Sequence, residues 1–482
     1  MGSSAQIARK KTAVVIGAGP NGLAAACTLA HAGMRVTVLE QHTSAGGGAR
    51  TAELIEPGVL HDVCATSLPL AVSSPCFQDL DLEQCGVRWV HPTYPMAHPF
   101  LDGTAAVLSR DIGETAESFR DTHDANTYSR LMTPLVQRWP DLIGQILSPL
   151  RIPRHPFLLA RFGLSAIRSG LSLAHLFKGG RARGFIAGLA AHSGLPLDQS
   201  PAAAFALVLA AAGHAVGWPF VEGGTQQLVE ALAARLIEYG GSITTGCPVS
   251  DARDLPPADV YLFDVTPRQL LQFAGDLLPQ SYRRRLARYR YGPGVFKMDW
   301  VLSAPVPWAA GKCRNAGVIH LGGNLEDIRE SEREPHQGRI ADQPFLLLAQ
   351  PTLFDPSRAP AGRHVLWGYC HVPNASTENV RDAVERQIER FAPGFSHVVV
   401  GRASMNCQHL EQYNPNLVGG DIGAGLYNWT QLFTRPVARL VPWATPNPRV
   451  FICSASTPPA GGVHGMCGCN AARAALNALN RL

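Results

Sequence analysis

Charge is scarce in this chain. Asp, Glu, Lys and Arg make up 16% of the 482 residues, and the net charge is only +5. Lysine is scarcer still. Five lysines stand among 42 basic residues, so arginine carries nearly all the positive charge. No basic run is long enough for a nucleic-acid footprint, and no nucleic-acid partner is expected. The 11 cysteines are odd in number and fall at no repeating spacing. A disulfide framework is therefore not expected, and a reducing, cytoplasmic setting is. Cys467 and Cys469 lie two apart, but no His or Cys cluster joins them, so no metal site is expected. The first ten residues are polar and lack the apolar core of a signal peptide. These deficits leave a globular chain, 46% hydrophobic and too long for one ordinary core.

One stretch organises what is present. Lys11–Glu40 opens with an apolar run, Ala13–Ile16, short enough for a buried strand. Gly17, Gly19 and Gly22 follow at GxGxxG spacing, with Pro20 and Asn21 inside the same loop. Gly22–Ala32 has helical composition, Gly33 stops it, and Arg35–Leu39 predicts a second strand ending in Glu40. This is a complete βαβ unit for a dinucleotide. Gly17 permits a sharp turn, Gly19 lets backbone approach a pyrophosphate, and Gly22 lets helix and strand pack closely. Glu40 stands where a ribose hydroxyl is accepted.

Gln41–Thr51, QHTSAGGGART, can form a second phosphate-facing loop. Glu40 followed by Gly47, Gly48 and Arg50 resembles the second signature of the FAD-dependent amine oxidase and phytoene desaturase superfamily. Arg50 stands later than the usual arginine, whose place Gly48 takes here. Two further stretches carry the resemblance. Glu222–Val249 has a Gly-Gly pair, an amphipathic helix, another Gly-Gly pair and a strand. In the family such an element returns the chain to the FAD domain, and Val249 matches the valine lying against adenine. Ser454–Gly465 is a loop before an Ala-rich helix, Met466–Leu479. The resemblance places Ser456 near the phosphate or ribityl chain, and Val463, His464, Gly465 and Met466 near the isoalloxazine. The start of that helix offers N–H groups suited to a reduced flavin.

Val295–Leu302 alternates as a strand, with Val295, Lys297, Asp299 and Val301 on one face. Lys297 resembles the amine oxidase lysine that holds a water at flavin N5. A Lys297–Asp299 surface pair is the competing reading. Lys297 and His464 are the polar candidates for catalysis. Gly462 stands near the place of the amine oxidase cage aromatic and cannot form that wall. His61 and Asp62 are read as a local turn-stabilising pair.

Pro201–Phe220 reads as a buried, alanine-rich helix lining a cavity, with His214 in it. Tyr413, Tyr427 and Trp429 flank a glycine-rich loop and are further cavity candidates. Arg151–Arg183 mixes apolar and basic residues, which suits either a domain-packing helix or peripheral membrane contact.

The expected fold is α/β. A Rossmann-type FAD-binding domain is built from residues 10–75, 220–270 and 445–482. It is interleaved with a sheet-and-helix substrate domain over 76–219 and 271–444. The resemblance implies an FAD-dependent oxidoreductase that desaturates a lipophilic small molecule by hydride transfer to flavin N5. Oxygen, a quinone or another carrier would accept the electrons. A saturase or double-bond isomerase, an amine oxidase-like oxidase and a catalytically idle FAD-fold partner protein stay open as alternatives.

Overall fold

The computed structural model describes residues 10–149 and 153–481. Twelve strands matter for the site. In chain order they are β1 (Thr12–Ile16), β2 (Arg35–Leu39), β3 (Tyr94–Pro99), β4 (Ala105–Leu108), β5 (Ser242–Thr244), β6 (Val260–Phe263), β7 (Gly294–Leu302), β8 (Ala316–Leu321), β9 (Leu346–Ala349), β10 (His364–Val372), β11 (Val399–Met405) and β12 (Val450–Ile452). The helices that position it are α1 (Pro20–His31), α2 (Thr122–Gln137), α3 (Pro156–Ala166), α4 (Gly180–Ala191), α5 (Ala202–Ala215), α6 (Gln226–Glu238) and α7 (Met466–Leu479).

The first sheet runs β12-β6-β1-β2-β5, and every pairing in it is parallel. Its strands come from segments more than 400 residues apart in sequence, between Thr12 and Ile452. The apolar run at Ala13–Ile16 is explained by two cores. Ala13 and Val15 enter one, and Val14 and Ile16 enter the other. A parallel sheet covered on both faces needs apolar residues at every position.

The second sheet is mixed, in the order β11-β7-β10-β9-β8-β3-β4. Only β8–β3 is parallel. In β7 the predicted alternation appears. Phe296, Met298, Trp300 and Leu302 pack into a core with Ile388 and Phe391, away from Lys297 and Asp299. The fold is therefore α/β as expected, with a parallel nucleotide-type sheet and a mixed sheet.

Some local expectations are corrected. His61 and Asp62 do not stabilise each other. Asp62 is paired with Arg358 at 2.6 Å, while His61 Nδ1 lies 3.5 Å from Asp299. One disulfide, Cys76–Cys469, ties the short helix Pro75–Asp79 to α7, where scattered spacing predicted no bridge. Among the described residues no helix is long and apolar enough to cross a membrane. Arg151, at the start of the basic segment, lies outside the described residues.

Candidate active site

The glycine loop after β1 forms a backbone cradle. A Cβ on Gly22 would stand 2.1 Å from the Gly17 carbonyl oxygen, so only glycine lets α1 start there. Gly17 has φ +102°, the left-handed region that the turn requires. The second loop closes on the first: a Cβ on Gly47 would lie 3.0 Å from the Gly19 Cα. Glu40 holds both loops. Its Oε2 accepts the Ala18 amide at 2.8 Å and its Oε1 accepts the His42 amide at 2.9 Å. Arg50 pairs with Glu40 at 3.3 Å and donates to the Ser44 carbonyl at 3.0 Å.

One cavity of about 470 Å³ begins on this cradle. Gly17, Gly19, Pro20 and Asn21 line it, as do Glu40, Gly47, Gly48 and Arg50. Val249 and Val463 are on its wall as well. Gly22 lies behind it, in the packing role its spacing predicted. Farther along, the walls are apolar and aromatic: Leu70, Phe205, Leu209, Trp218, Trp367 and Tyr369. The size and the mixture of apolar walls with few polar groups suit a small-molecule site.

Lys297 lines this cavity and is almost fully buried. It donates to Asp299 within a buried ion pair, so the competing reading of a surface pair is replaced by an internal one. The lysine also lies 5.9 Å from the centre of the Trp367 ring. Beside it, burial pushes the Cys64 thiol up to about 11, with Lys297 opposing. Tyr413 and Tyr427 line the cavity. Burial raises the Tyr413 phenol, although Arg50 above its ring lowers it in part.

Other expected residues fall elsewhere. His214 does not line the cavity. Phe205 and Leu209 on α5 do, and His214, nine residues after Phe205, comes out on the opposite helix face. There its Nε2 bonds the Tyr128 hydroxyl of α2 at 2.7 Å, and burial lowers its pKa to about 4. Trp429 is half exposed and packs on Phe433. Ser456 is buried behind the wall and donates to the Ala424 carbonyl at 3.0 Å; its neighbours Ser454 and Ala455 take the lining positions.

His464, Gly465 and Met466 are also outside the lining. The Met466 amide donates to His464 Nδ1 at 3.0 Å, so the other ring nitrogen, Nε2, donates to the Ala460 carbonyl at 3.1 Å. Both nitrogens are used. Burial lowers the ring to about 4, and with both nitrogens engaged His464 caps the start of α7 away from the cavity wall. The helix-start N–H of Met466 is consumed by the same contact. Gly465 has φ +65°, and a Cβ on it would lie 2.5 Å from Phe77. Gly462 does line the cavity, and its nearest side chain is Leu70, so the expected absence of an aromatic there is filled by an aliphatic wall.

Asp264, absent from the sequence reading, stands in the cradle. It follows β6 directly, and its Oδ2 accepts the Gly22 amide at 2.8 Å. Burial pushes it up to about 7; the Gly22 amide opposes this, and Glu40 adds to it. An acid directly after the apolar run Val260–Phe263 was its available signal. His192 is a second missed residue on the cavity wall, and nothing local marked it.

Residues 15–80 match the family model of the NAD(P)-binding Rossmann-like domain. A rat protein, pyridine nucleotide-disulfide oxidoreductase domain-containing protein 2, is 26% identical over 98% of this chain and 94% of its own. Hydroxyneurosporene desaturase of Cereibacter sphaeroides is 31% identical over 54% of this chain and 57% of its own. A cofactor-redesigned triple mutant of putrescine oxidase has the same fold, with a TM-score of 0.62 at 15% identity, covering 98% of this chain and 99% of that one.

Proposed function

We propose a reaction for a chain that belongs to the FAD-dependent amine oxidase and phytoene desaturase superfamily and is an oxidoreductase: it binds FAD and dehydrogenates a lipophilic small molecule. The observation that carries the reading is the continuity of one cavity. The glycine cradle and the aromatic chamber are parts of the same space, so a nucleotide held on the first would reach a substrate in the second.

The residues fit FAD. Gly17, Gly19 and Gly47 present backbone without Cβ atoms where a pyrophosphate would pass. Glu40 keeps lone pairs for ribose hydroxyls beyond its two backbone bonds, and Arg50 is the nearby cation. Val249 and Val463 supply apolar contact. Bound there, FAD would supply the acceptor for a hydride from a substrate C–H. The chain's own part is to orient the substrate between Trp218, Trp367, Tyr369 and Tyr427 and to exclude water. Lys297, on the same wall, would hold a water or an oxygen species. An amine oxidase-like site is disfavoured by the Leu70 wall facing Gly462, where that family has a cage aromatic.

We assign membrane contact to the exposed apolar residues of α3 and its flank. Phe157 is 91% exposed and Leu164 70% exposed, beside exposed Arg161 and Arg168. A lipophilic substrate would enter from such a surface.

The test is the visible spectrum of purified protein loaded with FAD, followed anaerobically while polyenes such as phytoene and all-trans-retinol are added. Bleaching supports dehydrogenation. A double-bond shift without bleaching indicates an isomerase. No retained flavin removes the reading. Re-admitted air separates oxygen from a quinone or another carrier as electron acceptor.

A further inference from the structure

Behind the aromatic chamber three histidines stand in line. His192 follows α4 as its C-terminal cap and lines the cavity. Its Nε2 lies 2.9 Å from Nε2 of His320, which is fully buried on β8. His98, equally buried on the adjacent strand β3, comes next. The register that sets Ile319 against Ala97 puts His320 and His98 one residue further on.

Their tautomers follow from their partners. Nε2 of His98 is 2.7 Å from the Gly323 carbonyl, so it carries the proton, and Nδ1 has the lone pair. Nδ1 of His98 and Nδ1 of His320 are both buried without a partner. Both would lie 3.1 Å from a Cβ on Gly188, so α4 approaches them closely only because it has glycine there. The two facing Nε2 atoms of His192 and His320 share one proton, one donating and the other accepting. Nδ1 of His192 has no protein partner among the described residues.

We infer that His192 is the group that exchanges a proton with substrate in the chamber, and that His320 is the positioning residue that fixes its tautomer. The inference rests on the dehydrogenation reading. Forming a C=C bond removes a hydride from one carbon and a proton from its neighbour. With flavin as the oxidant that takes the hydride, the neighbouring C–H bond breaks heterolytically. Its electron pair becomes the new π bond, and its proton goes to Nδ1 of His192. The imidazolium so formed donates from Nε2 to His320.

Burial holds His192 down at about 3, with His371 adding to the effect, so it waits as the neutral acceptor. Such a weak base suffices, because a C–H beside an electron-deficient carbon is strongly acidic. The other ionisable groups around the pair are already engaged. His371 is paired with Glu332 at 2.8 Å, and His336 bonds the Gly194 carbonyl at 2.9 Å. Trp218 and Phe345 close the remaining sides of His320. Lys297 is bound to Asp299 and is not a free acceptor.

The test uses the full chain and two readouts. Diethyl pyrocarbonate labels neutral, reachable imidazoles, and peptide mass spectrometry locates the label. His192 should react, all-trans-retinol should protect it, and His320 and His98 should stay unlabelled. H320F should change the His192 rate several-fold, and H320Q, which keeps an amide for the same contact, should restore it. An unreactive or unprotected His192, or one indifferent to H320F, overturns the inference. In the flavin-loaded protein, H192F should slow polyene-driven bleaching by about 100-fold, the lower range for a general base, with polyene affinity nearly unchanged. Unchanged bleaching in H192F also overturns it. If no polyene bleaches the wild-type flavin, the dehydrogenation reading falls by itself, and the labelling result alone decides for or against His192.

Discussion

Asp264 accepts the amide hydrogen of Gly22 at 2.8 Å across 242 residues of sequence. The contact joins the end of β6 to the first turn of α1, at the point where a dinucleotide pyrophosphate would lie. A carboxylate there would repel the phosphates, and its raised pKa resolves the conflict by keeping it largely protonated below neutrality.

The pH dependence has a definite sign. The usual pKa of Asp is 3.8, and burial raises it here to about 7. Between these values the unfolded chain loses the proton while the folded one keeps it, so stability falls as pH rises through this window and levels above it. Asp264→Asn keeps an acceptor for Gly22 and removes the titration. Urea denaturation should show the variant gaining on wild type from pH 4 to 7, by on the order of a few kcal/mol. FAD affinity of the wild type should weaken above pH 7, and that of the variant should not. A flat difference at all pH values would contradict this.

Gly22 and Gly48 separate folding from binding. Gly22→Ala puts a methyl against the Gly17 backbone and should lose about 1–3 kcal/mol of stability together with flavin retention. Gly48 lines the cavity with open space at its Cβ position. Gly48→Ala should keep its Tm and lose affinity. Calorimetry of both variants with and without FAD distinguishes the two.

Arg358 is fully buried between Asp62 at 2.6 Å and Asp355 at 3.0 Å. Burial works against the Asp62 charge, but Arg358 and the Thr225 and Thr66 hydrogen bonds outweigh it and hold the carboxyl below its usual range. A depressed carboxylate contributes stability above its unfolded pKa and loses it as pH falls through the folded value. Asp62→Ala should cost about 3–5 kcal/mol at neutral pH, because it strands a buried guanidinium. The loss should shrink under acid, as guanidinium melts at pH 7 and pH 3 would reveal.

Lys297→Met should slow reoxidation of dithionite-reduced flavin by air by about tenfold or more, if the lysine supplies charge stabilisation at the reacting oxygen. Stopped-flow absorbance checks this. Because the change also strands Asp299, the double variant Lys297→Met, Asp299→Leu should be more stable than the single one. Equal reoxidation rates would remove Lys297 from the oxygen reaction.

Phe157→Ser with Leu164→Ser should reduce co-sedimentation of the full chain with anionic vesicles and leave its binding to neutral vesicles low. Wild-type protein that stays in the supernatant with both vesicle types would end the idea of membrane contact.

The sequence by itself determined whatever depends on neighbours in the chain. The βαβ unit, its glycines, Glu40 at the end of the second strand and the two faces of Val295–Leu302 all follow from spacing, because backbone dihedrals and side-chain direction are set within a few residues. Tertiary structure decided what depends on pairing between distant segments. Asp264 reaches Gly22 only because β6 lies beside β1. His192 meets His320 only because α4 ends over β8. His464 turned out to cap α7, and His214 turned away from the cavity, because a histidine in an apolar stretch carries no mark of which face will be buried against what. Register and helix rotation in the folded chain fix those contacts, and they are set by packing across the whole molecule.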